Sequence, residues 1–367
     1  MSNIVFVLGA GASKHCGIPL MKDFLDVARG LLRNGEVKEA ENAFSNVIDA
    51  VGKLNAVHSK AILDTANIES VYTAFEIGKL LGRLPGIEDE ERIDGLTSAI
   101  RKVIGYTLEK TTKVPNDSRM NPFQAYWEFT NIMVSLIKVS RSFSVITFNY
   151  DLGLDYSLYR NGLLPDYCLS DVDLKGNSVT YLKLHGSLNF GKCSNLSCGR
   201  IVPYRQFQYT DRVTRDYSTI PVVSGFKNRA CPECGETLES DPVIIPPTWN
   251  KTAYHGQIEQ VWRRAAKEMR DAEHIFVLGY SLPDTDWFFN YLYGLGVEME
   301  TPVEGFYVYN PDQSVRAKFE GLLGPGVAGR FHHHSIRFED AVRVAVPAEL
   351  GIGVLTIPQI LNIKIQL

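Results

Sequence analysis

Residues Ile4 to Pro19 read I-V-F-V-L-G-A-G-A-S-K-H-C-G-I-P. The apolar run Ile4–Leu8 predicts a short buried strand, and Gly9, Ala10, Gly11, Ala12 and Ser13 predict a tight turn directly after it. Beyond Gly17-Ile18-Pro19, apolar residues recur at Leu20, Phe24, Val27, Ala28 and Leu31, the period of an amphipathic helix. In a strand-to-helix turn of this kind, small residues let backbone N–H groups approach a phosphate, and the helix N-terminus favours negative charge. The pattern is G-x-G followed by Ala and Ser, without the third glycine of the dinucleotide fingerprint. Two readings therefore stand side by side: a nucleotide pyrophosphate site, or small residues that only relieve crowding at a turn.

Working outward, residues 31–142 change character. Val71, Phe75, Gly78 and Leu81, and later Phe129, Ile132, Met133, Leu136 and Ile137, fall at helical spacing, and alternation of the strand type is scarce. A helical subdomain inserted after the first strand-helix unit is expected, interrupted by loops at Pro115-Asn116-Asp117-Ser118 and Asn121-Pro122. A second buried strand follows at Phe143–Thr147 and ends in Phe148-Asn149-Tyr150-Asp151. Polar groups just past a strand's C-terminal end sit where open α/β sheets bind ligands, although Asx residues also cap turns. The next strand, Val179–Leu184, runs into His185-Gly186-Ser187-Leu188-Asn189. A histidine in that position titrates near neutrality and can take a proton from a hydroxyl or a water.

Cys193-x4-Cys198 and Cys231-x2-Cys234 form two close pairs. Such pairs suit a tetrahedral Zn²⁺ site, and four thiolates leave no open coordination position, so the zinc would be structural. Cys16 and Cys168 stand alone. After the cysteines come Asp241–Pro247, a helical stripe through Ile258, Val261, Trp262, Ala265 and Met269, and a strand at His274–Leu278. That strand ends in Gly279-Tyr280-Ser281-Leu282-Pro283-Asp284, a second small-residue turn, and leads into a helix from Trp287. A further strand, Phe306–Tyr309, ends at Asn310-Pro311-Asp312. His332-His333-His334 converge poorly for a metal if they lie on a strand, because neighbours point to opposite faces. The tail, Gly351–Leu367, is apolar and suits a last strand or a contact with another subunit.

The chain of 367 residues is 45% hydrophobic and 22% charged, the composition of an ordinary globular protein. A net charge of −4 offers no basis for direct nucleic-acid binding. No apolar run is long enough for a membrane span, and the N-terminus lacks the form of a signal peptide, so a reducing, cytoplasmic setting is expected. The expected fold class is α/β: a Rossmann-type, mostly parallel sheet with an inserted helical subdomain and a small zinc-binding module. The expected division is a core of residues 1–30 and 143–340, the insertion at 31–142, the zinc module at 190–240 and the tail at 341–367.

In order, G-A-G-A-S with G-I-P, then F-N-Y-D, L-H-G-S-L-N, the paired cysteines, G-Y-S-L-P-D-T-D and Y-N-P resemble the sirtuin-like family. The resemblance is greatest to the bacterial sirtuin-like proteins of anti-phage defence, and it covers about Ile4–Gly30 and Phe143–Asp312. It implies NAD⁺ bound with Gly9, Ala10, Gly11, Ala12 and Ser13 at the pyrophosphate and with Pro19 also in the cofactor site. It also implies Asn149 and Asp151 at the nicotinamide ribose, His185 as catalytic base, and Gly279, Ser281 and Asn310 toward the adenosine. Two departures matter. Leu20-Met21 stand where deacylating sirtuins carry Phe-Arg, and Val243–Pro247 stand where those enzymes pair with a peptide substrate as an added strand. Water is then the expected acceptor, with Asn149, His185 and Asp151 catalytic in an NAD⁺ glycohydrolase. The alternatives are an NAD-dependent deacylase or ADP-ribosyltransferase, and a non-catalytic NAD or ADP-ribose sensor. A homo-oligomer is expected, and the family resemblance implies a separate ATPase or Argonaute-like partner acting in trans.

Overall fold

The structure is a computed structural model. It describes residues 3–56, 63–115, 123–170, 177–204, 211–212, 217–223, 226, 229–245, 256–283, 287–296 and 302–353. In chain order the strands are β1 (Ile4–Leu8), β2 (Val114–Pro115), β3 (Phe143–Thr147), β4 (Leu164–Asp166), β5 (Ser178–Lys183) and β6 (Gly186–Cys193). They continue with β7 (Ile201–Pro203), β8 (Asp211–Arg212), β9 (Tyr217–Thr219), β10 (Leu238–Ile244), β11 (His274–Leu278), β12 (Gly305–Tyr309) and β13 (Phe331–His334).

Seven of these strands form one sheet in the order β13-β12-β11-β1-β3-β5-β4, with every neighbouring pair parallel. The Rossmann-type sheet expected from the apolar runs is therefore present. β1 is central and wholly buried because parallel strands covered on both faces need apolar side chains on both. The chain builds the β3–β5–β4 side first and then crosses to β11, β12 and β13. That reversal beside β1 is the point where such sheets open a crevice at their C-terminal edge.

The helices are α1 (Ala10–Ser13), α2 (Phe24–Arg33), α3 (Glu41–Asn55), α4 (Ile68–Leu81), α5 (Glu90–Thr111), α6 (Gln124–Lys138) and α7 (Gly153–Arg160). After the cysteines come α8 (Gly256–Arg270), α9 (Trp287–Gly296), α10 (Ser314–Leu322), α11 (Pro325–Ala328), α12 (Phe338–Asp340) and α13 (Val346–Leu350). Two expectations are corrected here. Gly9 to Ser13 is not a simple turn, since Ala10–Ser13 coil into the single turn α1, and the amphipathic helix begins at Phe24, not Leu20. Gly17, at φ +88, ends the first helical segment and lets the chain turn at Ile18-Pro19 before α2 starts.

α5 packs against α2, α3 and α4 and also against β10. Local signals set its neighbours' ends: the Asn67 side chain accepts the Glu69 N–H at the start of α4, and Gly82 closes it in the left-handed region. Glu109, buried on α5, accepts the N–H groups of both Val222 and Val223 at 2.8 Å, joining the helices to the segment after β9. α6 lies on the parallel sheet, where Phe129 meets Phe6 edge-on at 5.1 Å. Burying a side chain of that size contributes about 1.5–3 kcal/mol.

β6, β7 and β10 make a separate antiparallel sheet, and β2, β9 and β8 a third, small one. Pro115, expected in a loop, instead pairs with Tyr217 in β2, while the rest of the expected loops (116–118 and 121–122) and most of the apolar tail, 354–367, lie outside the described residues. Among the described residues, no helix is long and apolar enough to cross a membrane.

Candidate active site at the sheet reversal

The loops after β1 and β11 touch through glycine backbone. A Cβ on Gly9 would lie 2.5 Å from Tyr280 Cα, and one on Gly11 would lie 2.7 Å from Gly279 O. Gly279 has φ +62, and a Cβ there would sit 2.4 Å from Ala12 N. Crowding between two strand ends thus gives a concrete cause for these small residues. Ala12 and Ser13 are buried in α1, Ala10 is half-buried, and Pro19 is buried beyond the Gly17 turn.

Asn149, just past β3, is held against that loop. Its Nδ2 donates to Gly9 O and to Ser13 Oγ, each at 2.9 Å, and its own N–H donates to Thr147 Oγ1 at 3.1 Å. Ser13 Oγ also bonds the Tyr126 hydroxyl at 2.7 Å. The amide hydrogens of Asn149 are committed to the loop, which leaves Oδ1 as the acceptor its side chain can offer a ligand. Asp151 is 4% exposed, and its Oδ1 accepts the Gly153 N–H, two residues on at the start of α7, at 2.9 Å. Burial raises the Asp151 carboxyl above its ordinary range, and the Lys183 ammonium, the Ser13 hydroxyl and the Gly153 N–H oppose that shift.

His185 follows β5 and is 1% exposed. Its ring lies 5.2 Å from Phe148, edge to face, and 6.2 Å and 6.4 Å from Tyr150 and Trp262. Phe148 in turn stacks on Tyr280 at 4.5 Å, so aromatic rings join the ends of β3, β5 and β11. Gly186, at φ +80, bends the chain from the parallel sheet straight into β6, where a Cβ would meet Val243 O at 2.1 Å. The His185 carbonyl accepts the Ile245 N–H at 2.9 Å, and the Tyr150 hydroxyl donates to Ile245 O at 3.1 Å.

Behind these residues runs a polar network that no motif in the chain announces. Lys183, the last residue of β5, is fully buried; its Nζ donates to the Asp151 carbonyl at 2.6 Å and to Asp155 Oδ2 at 3.1 Å. Asp155 Oδ1 accepts the Tyr167 hydroxyl at 2.6 Å, and Tyr167 accepts Asn189 Nδ2 at 3.0 Å. Asn189 also bonds Ser187 Oγ at 2.6 Å and Tyr204 O at 3.0 Å. Ser187 and Asn189 therefore belong to β6 and its packing.

On the far side, Asn310 Nδ2 donates to Tyr280 O at 3.2 Å and its Oδ1 accepts the Asp312 N–H at 3.0 Å, fixing the end of β12 to the Gly279 turn. Ser281 is exposed on that turn. Asn149 is thus bonded to Gly9 and Ser13, and Gly279 touches the same segment at Gly11 and Ala12. His185 follows the neighbouring strand β5, packed on Phe148 and Tyr150 to either side of Asn149, while Asn310 shapes the Gly279 turn from behind.

The four cysteines converge. The sulfurs of Cys193, Cys198, Cys231 and Cys234 all lie within 4.8 Å of one another, with Cys193–Cys234 at 3.4 Å and Cys198–Cys231 at 3.8 Å. Zinc bonded to four thiolates at about 2.3 Å sets its ligands roughly 3.8 Å apart, so the cluster fits that ion. Two tight turns present the pairs: Cys198 and Gly199 both donate to Asn195 O, and Gly235, at φ +77, donates to Cys231 O. The cluster closes the open ends of β6, β7 and β10 and stands apart from His185 along β6.

No protein-family model and no curated protein matches the chain. Among solved structures, two point mutants of a Sir2 homologue, each in complex with ADP-ribose, are similar at 17% and 14% identity, with TM-scores of 0.41 and 0.44. Each alignment covers 96% of this chain and 95% of the other. A Sir2 homologue in complex with NAD is similar at 15% identity over 94% of this chain and 90% of that one, with a TM-score of 0.41.

Proposed function

We propose that this chain is an NAD⁺ glycohydrolase of the sirtuin-like type, cleaving the nicotinamide–ribose bond to give nicotinamide and ADP-ribose. The carrying observation is that Asn149, bonded to the α1 loop, and His185 follow the adjacent parallel strands β3 and β5 at the reversal of strand order. Nicotinamide departs as a neutral base from a cationic ring, so the leaving group needs no acid. The residues must instead orient the ribose, stabilise an oxocarbenium-like transition state and activate a water. Asn149 Oδ1 is the acceptor for a water or a ribose hydroxyl, Asp151 supplies negative charge near the ribose, and His185 takes the proton as the water oxygen bonds to C1′.

Water as the acceptor is supported by Ile245. Both its N–H and its carbonyl are bonded within the chain, to His185 and Tyr150, so this residue offers no free edge for a peptide substrate to pair with. Such an enzyme would deplete NAD⁺ in the cytoplasm, suiting an anti-phage role in which the chain acts as a homo-oligomer switched on by a separate ATPase or Argonaute-like partner. Chromatography of NAD⁺ incubated with the purified protein, alone and with that partner, tests the reading. His185→Ala and Asn149→Ala should each lower turnover by about 10²–10⁴-fold while remaining folded. Wild-type turnover in both variants, or cleavage only when an acylated peptide is present, would replace this reading.

A further inference from the structure

We infer that Lys183 is a positioning residue for this site, holding the Asn149–Asp151 loop to the strand that carries His185; the inference rests on the hydrolase reading above. A lysine with no exposed surface is costly, because removing an ammonium from water carries a penalty of several kcal/mol per ion unless hydrogen bonds and charge offset it. Here the offset is complete in kind. Asp155 supplies a carboxylate, the Tyr181 ring lies 5.4 Å away, and the third partner is a backbone carbonyl.

That third partner makes the difference. If Lys183 served only to neutralise Asp155, an apolar pair would fill the same space as well or better. Its shortest bond, 2.6 Å, goes instead to the carbonyl of Asp151, on the loop where Asn149 grips Gly9 and Ser13. Lys183 also lies two residues before His185. The ammonium therefore spans the two segments whose relative placement the proposed chemistry needs. Asp155 anchors it from α7, and Tyr167 and Asn189 extend the same chain of bonds to Tyr204 beyond β7. A loop held by backbone alone could shift, and a misplacement of about 1 Å can cost about 10²-fold in rate.

The test is the double variant Lys183→Met/Asp155→Asn, which removes the buried ion pair as a unit; because Asp151 also loses the ammonium that favours its charged form, kcat is compared at the plateau of each pH–rate profile. Thermal melting establishes that it is folded at the assay temperature. NAD⁺ kinetics and hydrogen–deuterium exchange of residues 149–153 are then compared with wild type. The expected result is a kcat lower by about 10-fold or more with KM changed less than about 3-fold, together with faster exchange across 149–153. Unchanged kcat or unchanged exchange in the folded variant overturns the inference. Should that variant melt too early, Lys183→Gln/Asp155→Asn, which keeps a neutral polar pair in place, is read by the same two measurements. If wild type cleaves no NAD⁺ either alone or with the activating partner, the hydrolase reading falls, and exchange alone decides whether Lys183 tethers the loop.

Discussion

Gly11 donates its backbone N–H to the carbonyl of Gly279 across 2.9 Å, so the loops that follow β1 and β11 are bonded to each other. The contact needs both residues to lack a Cβ, and Gly279 needs a positive φ besides. Gly279→Ala should therefore destabilise the fold by about 1–3 kcal/mol from backbone strain alone, with further loss as Ala12 is pushed away. Chemical denaturation measures this directly, and a midpoint equal to wild type would mean that the two loops are not in contact.

The cysteine cluster predicts about one zinc per chain by elemental analysis. Metal bound by four thiolates from short turns contributes directly to folding. Cys231→Ser should lower both metal content and melting temperature, and a strong chelator should lower the wild-type melting temperature. Metal-free protein that melts as the purified protein does would count against a structural zinc.

Stability should depend on pH through His15. Its ring stacks on Phe338 at 5.6 Å beside Tyr126, and burial pulls its pKa down to about 4, against the opposing pull of Glu339, the Ala12 backbone and Glu128. The unfolded chain, with an ordinary histidine near 6.5, then binds more protons than the folded one between those values. Stability contributed above pH 6.5 is lost as pH falls toward 4. The melting temperature of wild type should fall more steeply over that interval than that of His15→Gln; parallel curves would mean that His15 is not buried as described.

Glu109 predicts how the helices are joined to the rest. Its carboxylate accepts two backbone N–H groups, and hydrogen bonds to charged groups contribute about 1.5–3 kcal/mol each. Glu109→Ala should cost at least about 2 kcal/mol and expose residues 217–223 to limited proteolysis. Unaltered stability and cleavage would show that this join carries no weight.

The inner strands of the parallel sheet were legible because they are covered on both faces. Ile4–Leu8 and Ile275–Leu278 are therefore unbroken apolar runs, and Phe143–Thr147 (F-S-V-I-T) is mostly apolar with small Ser144 and Thr147 buried in it. The cysteine pairs were legible because metal ligands come in fixed local spacings. β4 was not, being three residues long with Pro165 in it, as only an edge strand tolerates. Lys183 was hidden for a different reason: in V-T-Y-L-K-L it reads as a solvated break in the run, and its partners Asp151 and Asp155 come from another segment. The two meanings of Gly9 and Gly11 could not be separated either, since the backbone they press against arrives only at Gly279.

The central place of β1 has a consequence for how the chain is made. During synthesis β1 emerges first, yet its neighbours are β3 on one side and β11 on the other. Until His274 to Leu278 leave the ribosome, one edge of an entirely apolar strand has no partner. Contacts so distant in sequence form slowly, and an uncovered edge of this kind invites pairing with other nascent chains. The helices from α2 to α6, translated directly after β1, are the material at hand to shelter it. Expression in which residues after 270 are delayed or removed should therefore yield aggregate or chaperone-bound chain, and not a smaller folded core.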